Sequence, residues 1–150
     1  MKIKDILCND ISSVSKIMTI RTVIRLMTLS RFYAIPIVDE HNKYISCIDI
    51  SDIIDACIPS YMKSLVSTAI LPDIGKFYEN LEEIQDNKVK DFMPKKYPTL
   101  HPHDSLHFAA DLLEKTQRRV IPVVTKNKQL VGTISRLELI SVILKKQEQL

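Results

Sequence analysis

The sequence has few of the residues that several protein architectures require. It contains only 2 glycines and no tryptophan among its 150 residues, which excludes a collagen-like chain, a flexible glycine-rich linker and the glycine-rich phosphate loops. No apolar run approaches the roughly 18 residues that a membrane-spanning helix needs. The N-terminal stretch MKIKDILCND becomes acidic too early for a signal peptide. We therefore expect a cytoplasmic protein that neither crosses nor binds a membrane.

The sequence also contains few cysteines and has a small net charge. The 3 cysteines are Cys8, Cys47 and Cys57; they are widely spaced within apolar stretches and form no CxxC pair. We expect buried structural thiols rather than a disulfide framework. The 21 basic and 18 acidic residues are interspersed and give a net charge of +3, whereas nucleic-acid binding usually needs a concentrated basic face. The composition therefore favours no nucleic-acid partner.

The sequence repeats itself at a fixed offset. The stretches AIPIV and VIPVV align through Pro36 and Pro122, and 122 − 36 gives an offset of 86 residues. When the first and last thirds of the chain are aligned at this offset without a gap, Ile48 falls on Ile134. The apolar positions of the two thirds coincide almost throughout. A match of this length without a gap indicates an internal duplication.

Each copy shows the same predicted order of elements, β-α-β-β-α. A short lead-in (IKDIL, VKDFM) and an extended stretch precede a helix, which begins behind a hydroxyl N-cap at Thr19 or Ser105. Apolar residues in this helix recur at i, i+3, i+4 and i+7. The proline-containing strand, a polar turn, a second strand and a short helix follow. Because a unit of this size buries its sheet face poorly alone, we expect the two units to pack face to face.

A connector separates the two units. We assign residues 2–58 to the first unit, 59–87 to the connector and 88–147 to the second unit. The connector is apolar early (SLVSTAIL), is broken by Pro72 and ends in the acidic stretch FYENLEEIQ. This pattern predicts two short helices, which would cover part of the pair or contribute to a dimer.

The repeated motif resembles a known family. A tandem β-α-β-β-α repeat, with a hydrophobic-Pro-Val-Val strand followed by G-x-x-[ST]-x-x-[DE], resembles the CBS domain pair, or Bateman module. The resemblance implies an α+β fold with two units packed about a pseudo-twofold axis. It also implies clefts that bind AMP, ADP, ATP or S-adenosylmethionine, frequent homodimers, and no required cofactor. The chain would then be a regulatory sensor that signals nucleotide occupancy to an effector protein, which the sequence does not identify.

The second unit carries the residues that such a cleft would need. Gly132, Ser135 and Glu138 stand at the glycine, hydroxyl and carboxylate positions of the family motif. A carboxylate can accept hydrogen bonds from both ribose hydroxyls, but glutamate replaces the usual aspartate, so its longer arm must fold back. We predict one nucleotide site per chain, in this cleft. Its other candidate residues are Thr99, Arg118, Arg119, Val120, Ile121 and Pro122.

The first unit departs further from the motif. Ser46 replaces the glycine and Asp49 replaces the hydroxyl residue, while Asp52 keeps the carboxylate position. Two aspartates one helical turn apart would repel a phosphate by about 1–4 kcal/mol. This cleft is therefore expected to hold a neutral adenosine moiety, to hold a cation, or to stay empty. The candidate residues of this second site are Ser13, Tyr33, Ala34, Ile35, Pro36, Asp49 and Asp52.

Other functions remain open at this point. If Ser135 only caps the last helix and Glu138 and the arginines are solvated charges, the chain is a ligand-free dimerisation or protein-interaction module with vestigial clefts. A further alternative is a metal- or nucleic-acid-binding protein that uses His101, His103, His107 and the scattered Lys and Arg residues. No cysteine or second acid lies at ligand spacing, so we predict no metal. His101 or His103 could also contact a phosphate. The sequence contains no nucleophile elbow, P-loop or HExxH motif, and we predict that the protein is not an enzyme.

Overall fold

The computed structural model describes residues 1–58 and 74–148. Its fold is α+β, as predicted, and it contains two small sheets. Within the described ranges no helix is long and apolar enough to cross a bilayer. The strands are β1 (Val14–Ser15), β2 (Ala34–Val38), β3 (Tyr44–Asp49), β4 (Val120–Val124) and β5 (Leu130–Ser135). The helices are α1 (Ile20–Ser30), α2 (Ile50–Cys57), α3 (Ile74–Ile84), α4 (Leu106–Thr116), α5 (Arg136–Ile140) and α6 (Val142–Glu148).

The connector is seen in part. Helix α3 corresponds to the second of the two predicted connector helices and packs on α2. The first predicted helix, in SLVSTAIL, lies outside the described residues.

The backbone itself repeats at the predicted offset. Arg31 and Gln117 end the first helix of each repeat in the left-handed conformation, with φ of 58° and 56°. Asn42 and Lys128, both with φ of 61°, lie in the turns of the two hairpins. Each pair is 86 residues apart, and left-handed backbone is uncommon for residues other than glycine. The internal duplication is therefore confirmed in the geometry of the chain.

Both predicted helix caps are confirmed. The Thr22 N–H donates to Thr19 Oγ1 at 3.2 Å, and the Phe108 N–H donates to Ser105 Oγ at 3.1 Å. Each hydroxyl thereby satisfies one of the backbone donors that the first turn of a helix leaves unpaired.

Loss of the Ser105 cap should lower stability measurably. We expect Ser105→Ala to reduce the free energy of unfolding by about 1 kcal/mol, because one N–H of α4 loses its acceptor. Urea unfolding followed by circular dichroism measures the change. Ser105→Asn supplies another good capping acceptor and should be nearly neutral; an equal loss in both variants would contradict the cap as the cause.

Successive side chains of each strand point alternately into the core of their own half and into the interface between the two halves. In the first hairpin Ile35 pairs with Ile48 across β2 and β3, and both are fully buried in the core of their own half. Their neighbours Ala34 and Cys47 pack instead against Tyr97 of the second half. Because side chains alternate along a strand, each hairpin presents one face to its own helices and the other to its pseudo-symmetric partner.

The lead-in of each repeat packs on the core of the other half. Ile3 is fully buried in the second-half core beside Leu113, and its N–H donates to the Asp104 carbonyl at 3.1 Å. Val89, from the lead-in of the second repeat, is fully buried in the first-half core beside Val23. Each spatial half therefore combines the helices and hairpin of one repeat with the lead-in of the other repeat. This exchange joins the two halves through their cores.

Candidate functional site

A cavity of about 440 Å³ lies between the two halves. This volume is within the range of roughly 300–1,000 Å³ that is typical of small-molecule sites. The first repeat contributes Cys8, Ile11, Ser12, residues 31–34 and Pro36. The second repeat contributes Arg119, Val120, Thr133 and residues 135–138.

This cavity combines residues that the sequence analysis assigned to two separate sites. It takes four candidates of the second-unit site and three of the first-unit site. The former are Arg119, Val120, Ser135 and Glu138, and the latter are Tyr33, Ala34 and Pro36. The reason is the pseudo-twofold packing, which sets the start of β2 in one half opposite the start of α5 in the other.

Glu138 folds back as its longer arm requires. Its Oε2 accepts a hydrogen bond from the Ser135 N–H at 2.7 Å and another from the Ser135 hydroxyl. Ser135 Oγ in turn accepts from the Leu137 N–H at 3.2 Å, so the pair forms a capping box at the start of α5. Glu138 Oε1 accepts no hydrogen bond from the described residues. Ser135 therefore does cap the helix, and the same arrangement holds a half-buried carboxylate at the cavity wall.

Three arginines line the cavity, and they differ in the partners of their guanidinium groups. Arg136 is held by Glu114 at 2.9 Å and by two backbone carbonyls. The Arg119 guanidinium lies over the Tyr33 ring, 5.0 Å from its centroid. Within the described chain, neither Arg31 nor Arg119 makes an ion pair or a side-chain hydrogen bond.

Arg31 was missed by the sequence analysis. Its offset counterpart is Gln117, so the repeat gave no signal for a cation there. The one available signal was its position at the end of α1, three residues before the β2 motif.

Several predicted site residues lie elsewhere. Ile35 and Ile121 are fully buried in the two cores, because strand alternation turns them away from the interface. Pro122, Thr99 and Ser13 do not line the cavity. Pro122 and Thr99 flank Leu100, whose N–H donates to the Pro122 carbonyl at 2.9 Å, and this short parallel contact is structural.

Gly132 serves the packing of the chain itself. A Cβ atom at this position would lie 2.6 Å from the Cys8 carbonyl oxygen and 2.6 Å from Leu7 Cδ1. Cys8 also pairs with Thr133 by two backbone hydrogen bonds of 2.9 and 3.0 Å. The space that the missing side chain leaves is taken by the N-terminal segment of the chain. At the counterpart position, the Ser46 hydroxyl donates to the Pro94 carbonyl at 3.0 Å.

The pseudo-equivalent cleft is filled by the chain's own side chains. Tyr97, the offset counterpart of Ile11, packs against Ala34 and Cys47. Its hydroxyl donates to the Val120 carbonyl at 2.7 Å. The Arg118 guanidinium lies over its ring, 4.4 Å from the centroid. Arg118 is therefore absent from the lining of the 440 Å³ cavity, contrary to its predicted place beside Arg119.

Both aspartates of this second cleft are already engaged. Arg118 Nη1 lies 3.3 Å from each carboxylate oxygen of Asp52. Asp52 also accepts from the Asp49 N–H at 2.8 Å, and Asp49, only 2% exposed, caps α2 through the Ser51 N–H. The repulsion predicted between the two aspartates and a phosphate is thus replaced by a helix cap and an ion pair. The side chains of Tyr97 and Arg118 therefore lie in this cleft.

Burial and charge shift the pKa values of Tyr97, Cys47 and Arg118 in the second cleft away from neutral pH. Burial raises the pKa of the Tyr97 phenol and of the Cys47 thiol. Burial alone would lower the pKa of Arg118, but the charge of Asp52 and the nearby Tyr97 raise it. The result is a neutral phenol, a neutral thiol and a charged guanidinium.

The histidines lie away from the cavity. His41, His101, His103 and His107 are all exposed, and none lines it. Over residues 1–58 and 74–148, no group of three or more potential metal ligands comes together. Neither His101 nor His103, the candidates for a phosphate contact, therefore belongs to this cavity.

Comparison with known proteins agrees with this architecture. The family model for the CBS domain matches residues 3–58 and 89–145. An uncharacterised protein of Methanocaldococcus jannaschii, MJ1426, is 27% identical over 135 residues, and the match covers 81% of this chain and 79% of that protein.

Solved structures share the same fold. The CBS-pair protein CBSX2 from Arabidopsis thaliana superposes with a TM-score of 0.78 at 15% identity, covering 98% of this chain and 96% of that one. In its complex with AMP the TM-score is 0.74 at 16% identity, with 97% and 98% covered. The CBS domain pair of MJ0100, solved with 5'-methylthioadenosine and S-adenosyl-L-methionine, gives 0.70 at 18% identity, with 97% and 98% covered. Since the family model matches most of the chain in two segments, this protein belongs to the CBS domain family, as a tandem pair.

Proposed function

We propose that this chain is a cytoplasmic regulatory module that binds a phosphate-bearing adenosine nucleotide in the 440 Å³ cavity. The observation that carries the proposal is the chemistry of the cavity wall. Among the described residues, Glu138 Oε1 has no hydrogen-bond donor, and the guanidinium groups of Arg31 and Arg119 make no ion pair or side-chain hydrogen bond. A carboxylate can accept the two ribose hydroxyls, and guanidinium forks suit phosphate oxygens.

The rest of the wall suits a planar base. Its surface is largely apolar, with Ile11, Ala34 and Val120 among the lining residues, and the half-exposed Tyr33 ring stands at its edge. Aromatic and aliphatic side chains bind a nucleobase by stacking and by excluding water. The comparison proteins support the ligand class, because CBSX2 was solved with AMP and MJ0100 with two adenosine derivatives.

The charge of the cavity favours a phosphate over a sulfonium. Three arginines and one glutamate line the wall, and Glu114 neutralises one of those arginines. Two cations then face one carboxylate. Such a site attracts the anionic phosphate of AMP, ADP or ATP, whereas the positively charged sulfur of S-adenosylmethionine would be repelled. We therefore expect AMP to bind more tightly than S-adenosylmethionine.

Regulation would follow from the position of the cavity between the two halves. A ligand that contacts Tyr33 on one side and Glu138 on the other stabilises one packing of the halves over others. The ligand can shift the equilibrium between two packings of the halves only by as much as its affinities for those packings differ. The output would pass to an effector protein or across a homodimer interface.

A thermal-shift series tests the proposed function. Purified protein is stripped of co-purifying ligand and heated with AMP, ADP, ATP or S-adenosylmethionine. At a hundredfold excess over Kd, a bound nucleotide should add about 2.7 kcal/mol, or roughly 5–11 °C in Tm for a chain of this size. The shift should be largest for a phosphate-bearing nucleotide. No shift with any of the four would contradict the proposal.

One observation favours the alternative, a ligand-free interaction module. Leu137, Ile140, Ile143 and Leu144 on the C-terminal helices are each more than half exposed. These residues lie on two consecutive helices, α5 and α6, and a contiguous apolar surface is common at sites of protein association. Absence of any thermal shift together with a dimer in light scattering would select this function.

A further inference from the structure

We propose that Tyr97 and Arg118 are a built-in occupant of the second cleft, so that the pair holds one nucleotide per chain. On this view the residues at positions 11 and 97 decide which cleft is open. The inference goes beyond the proposed function, because closure of the second cleft is a property of the chain without any ligand.

The two clefts start from the same backbone. The offset of 86 residues relates Ile11 to Tyr97, and it relates Glu138 to Asp52. The flanking strands and helices also coincide at this offset. One cleft nevertheless has a cavity of about 440 Å³, and in the other Tyr97 packs against Ala34 and Cys47. The difference must come from side chains, and at one lining position the aliphatic Ile11 is replaced by Tyr97.

Tyr97 and Arg118 resemble a bound ligand in their contacts. The Tyr97 ring packs against Ala34 and Cys47, and its hydroxyl is satisfied by a backbone carbonyl. Arg118 donates to both oxygens of Asp52. Asp52 is the counterpart of the carboxylate that we assign to the ribose, so in this cleft a guanidinium takes the place of the ribose hydroxyls.

Displacing this occupant would be unfavourable. The Arg118 and Asp52 side chains are mostly buried, with 21% and 17% of their surface exposed. A nucleotide entering the second cleft would have to separate them and leave a poorly solvated charge on each side. The Tyr97 hydroxyl would also lose its acceptor in a buried setting. The first cavity imposes neither cost.

Thiol labelling tests the closure without any ligand. Cys47 lies beside Tyr97 and is fully buried. Tyr97→Ala should expose it, and labelling of Cys47 by a thiol reagent, located by mass spectrometry, should become faster by about tenfold or more, since buried structural thiols are inert. Tyr97→Phe keeps the ring and should leave Cys47 protected.

The matched variant acts on the open cavity. Cys8 is half-buried and lines that cavity with Ile11. Ile11→Tyr places a ring there, so labelling of Cys8 should become slower and AMP binding should be lost, with the thermal unfolding transition retained. Calorimetry with AMP should give one site per chain for the unmodified protein and for Tyr97→Phe.

Different results separate this inference from the proposed function. Unchanged labelling of Cys47 in a folded Tyr97→Ala variant, or two AMP molecules per unmodified chain, would contradict the proposal that Tyr97 and Arg118 occupy the second cleft. If Tyr97→Ala does not fold, the inference rests on Ile11→Tyr, and unchanged labelling of Cys8 overturns it. If the unmodified chain binds no AMP, the proposed function fails, and the labelling of Cys47 and Cys8 still decides the closure.

Discussion

Replacing Glu138 by alanine is expected to weaken AMP binding by about 100-fold. Hydrogen bonds to a charged group contribute about 1.5–3 kcal/mol each, and about 1.4 kcal/mol corresponds to a tenfold change in affinity. Two ribose hydroxyls on one carboxylate, at the lower of these values, contribute about 3 kcal/mol, which corresponds to the expected 100-fold loss. The variant also removes the acceptor of the Ser135 N–H, which costs about 1 kcal/mol of stability. Titration calorimetry well below the unfolding temperature separates the two effects.

Two controls accompany this variant. Glu138→Gln keeps an oxygen for the Ser135 N–H but removes the charge, so we expect a loss of affinity smaller than that of Glu138→Ala. Asp52→Ala removes the counterpart carboxylate, which pairs with Arg118 in the closed cleft. It should lower stability while leaving the AMP affinity nearly unchanged. Equal losses of affinity from Glu138→Ala and Asp52→Ala would contradict a single nucleotide cavity.

Gly132→Ala is expected to lower the free energy of unfolding by about 1–3 kcal/mol, the usual cost of overpacking. The added Cβ would stand 2.6 Å from the Cys8 carbonyl oxygen, a backbone atom that cannot rotate away. The N-terminal segment would have to leave β5 and lose its two hydrogen bonds to Thr133. Urea unfolding monitored by circular dichroism gives the change.

Ser46 provides the matched control for the glycine. Its hydroxyl bonds to Pro94, which stands where Cys8 stands in the other half. Ser46→Ala loses one hydrogen bond and adds no atom, so the expected cost is about 1 kcal/mol. A neutral Gly132→Ala would show that residues 7 and 8 do not pack on β5, and the exchange of lead-ins would then be wrong.

Much of the fold was predictable because its signals are local or periodic. An N-cap needs only a hydroxyl one position before an apolar helical pattern, which Thr19 and Ser105 supply. The duplication needs only a fixed offset, which AIPIV and VIPVV reveal. Such patterns depend on neighbours along the chain. A sequence records those neighbours directly, so element order, caps and family followed from it.

The candidate site was predictable only in its chemistry. Ser135 and Glu138 carry the family motif, and the structure places both at the wall of the cavity. Their partners on the opposite wall, Tyr33 and Arg31, come from the other repeat. No spacing within one repeat can indicate which residues of the other repeat face it. Tyr97 was missed for the same reason, since nothing in its local sequence distinguishes a ring that fills a cleft from a ring in a core.

The sequence by itself determined the two repeats, their elements and the motif that names the family, because these depend on short-range periodicity and residue type. Only the tertiary structure decided three further properties. The lead-ins Ile3 and Val89 complete the opposite cores, the two candidate sites contribute to one cavity, and Tyr97 with Arg118 closes the other cleft. All three depend on contacts between residues far apart in the chain. Such contacts are selected by shape, burial and charge pairing when the two halves pack, and neither repeat contains that information alone.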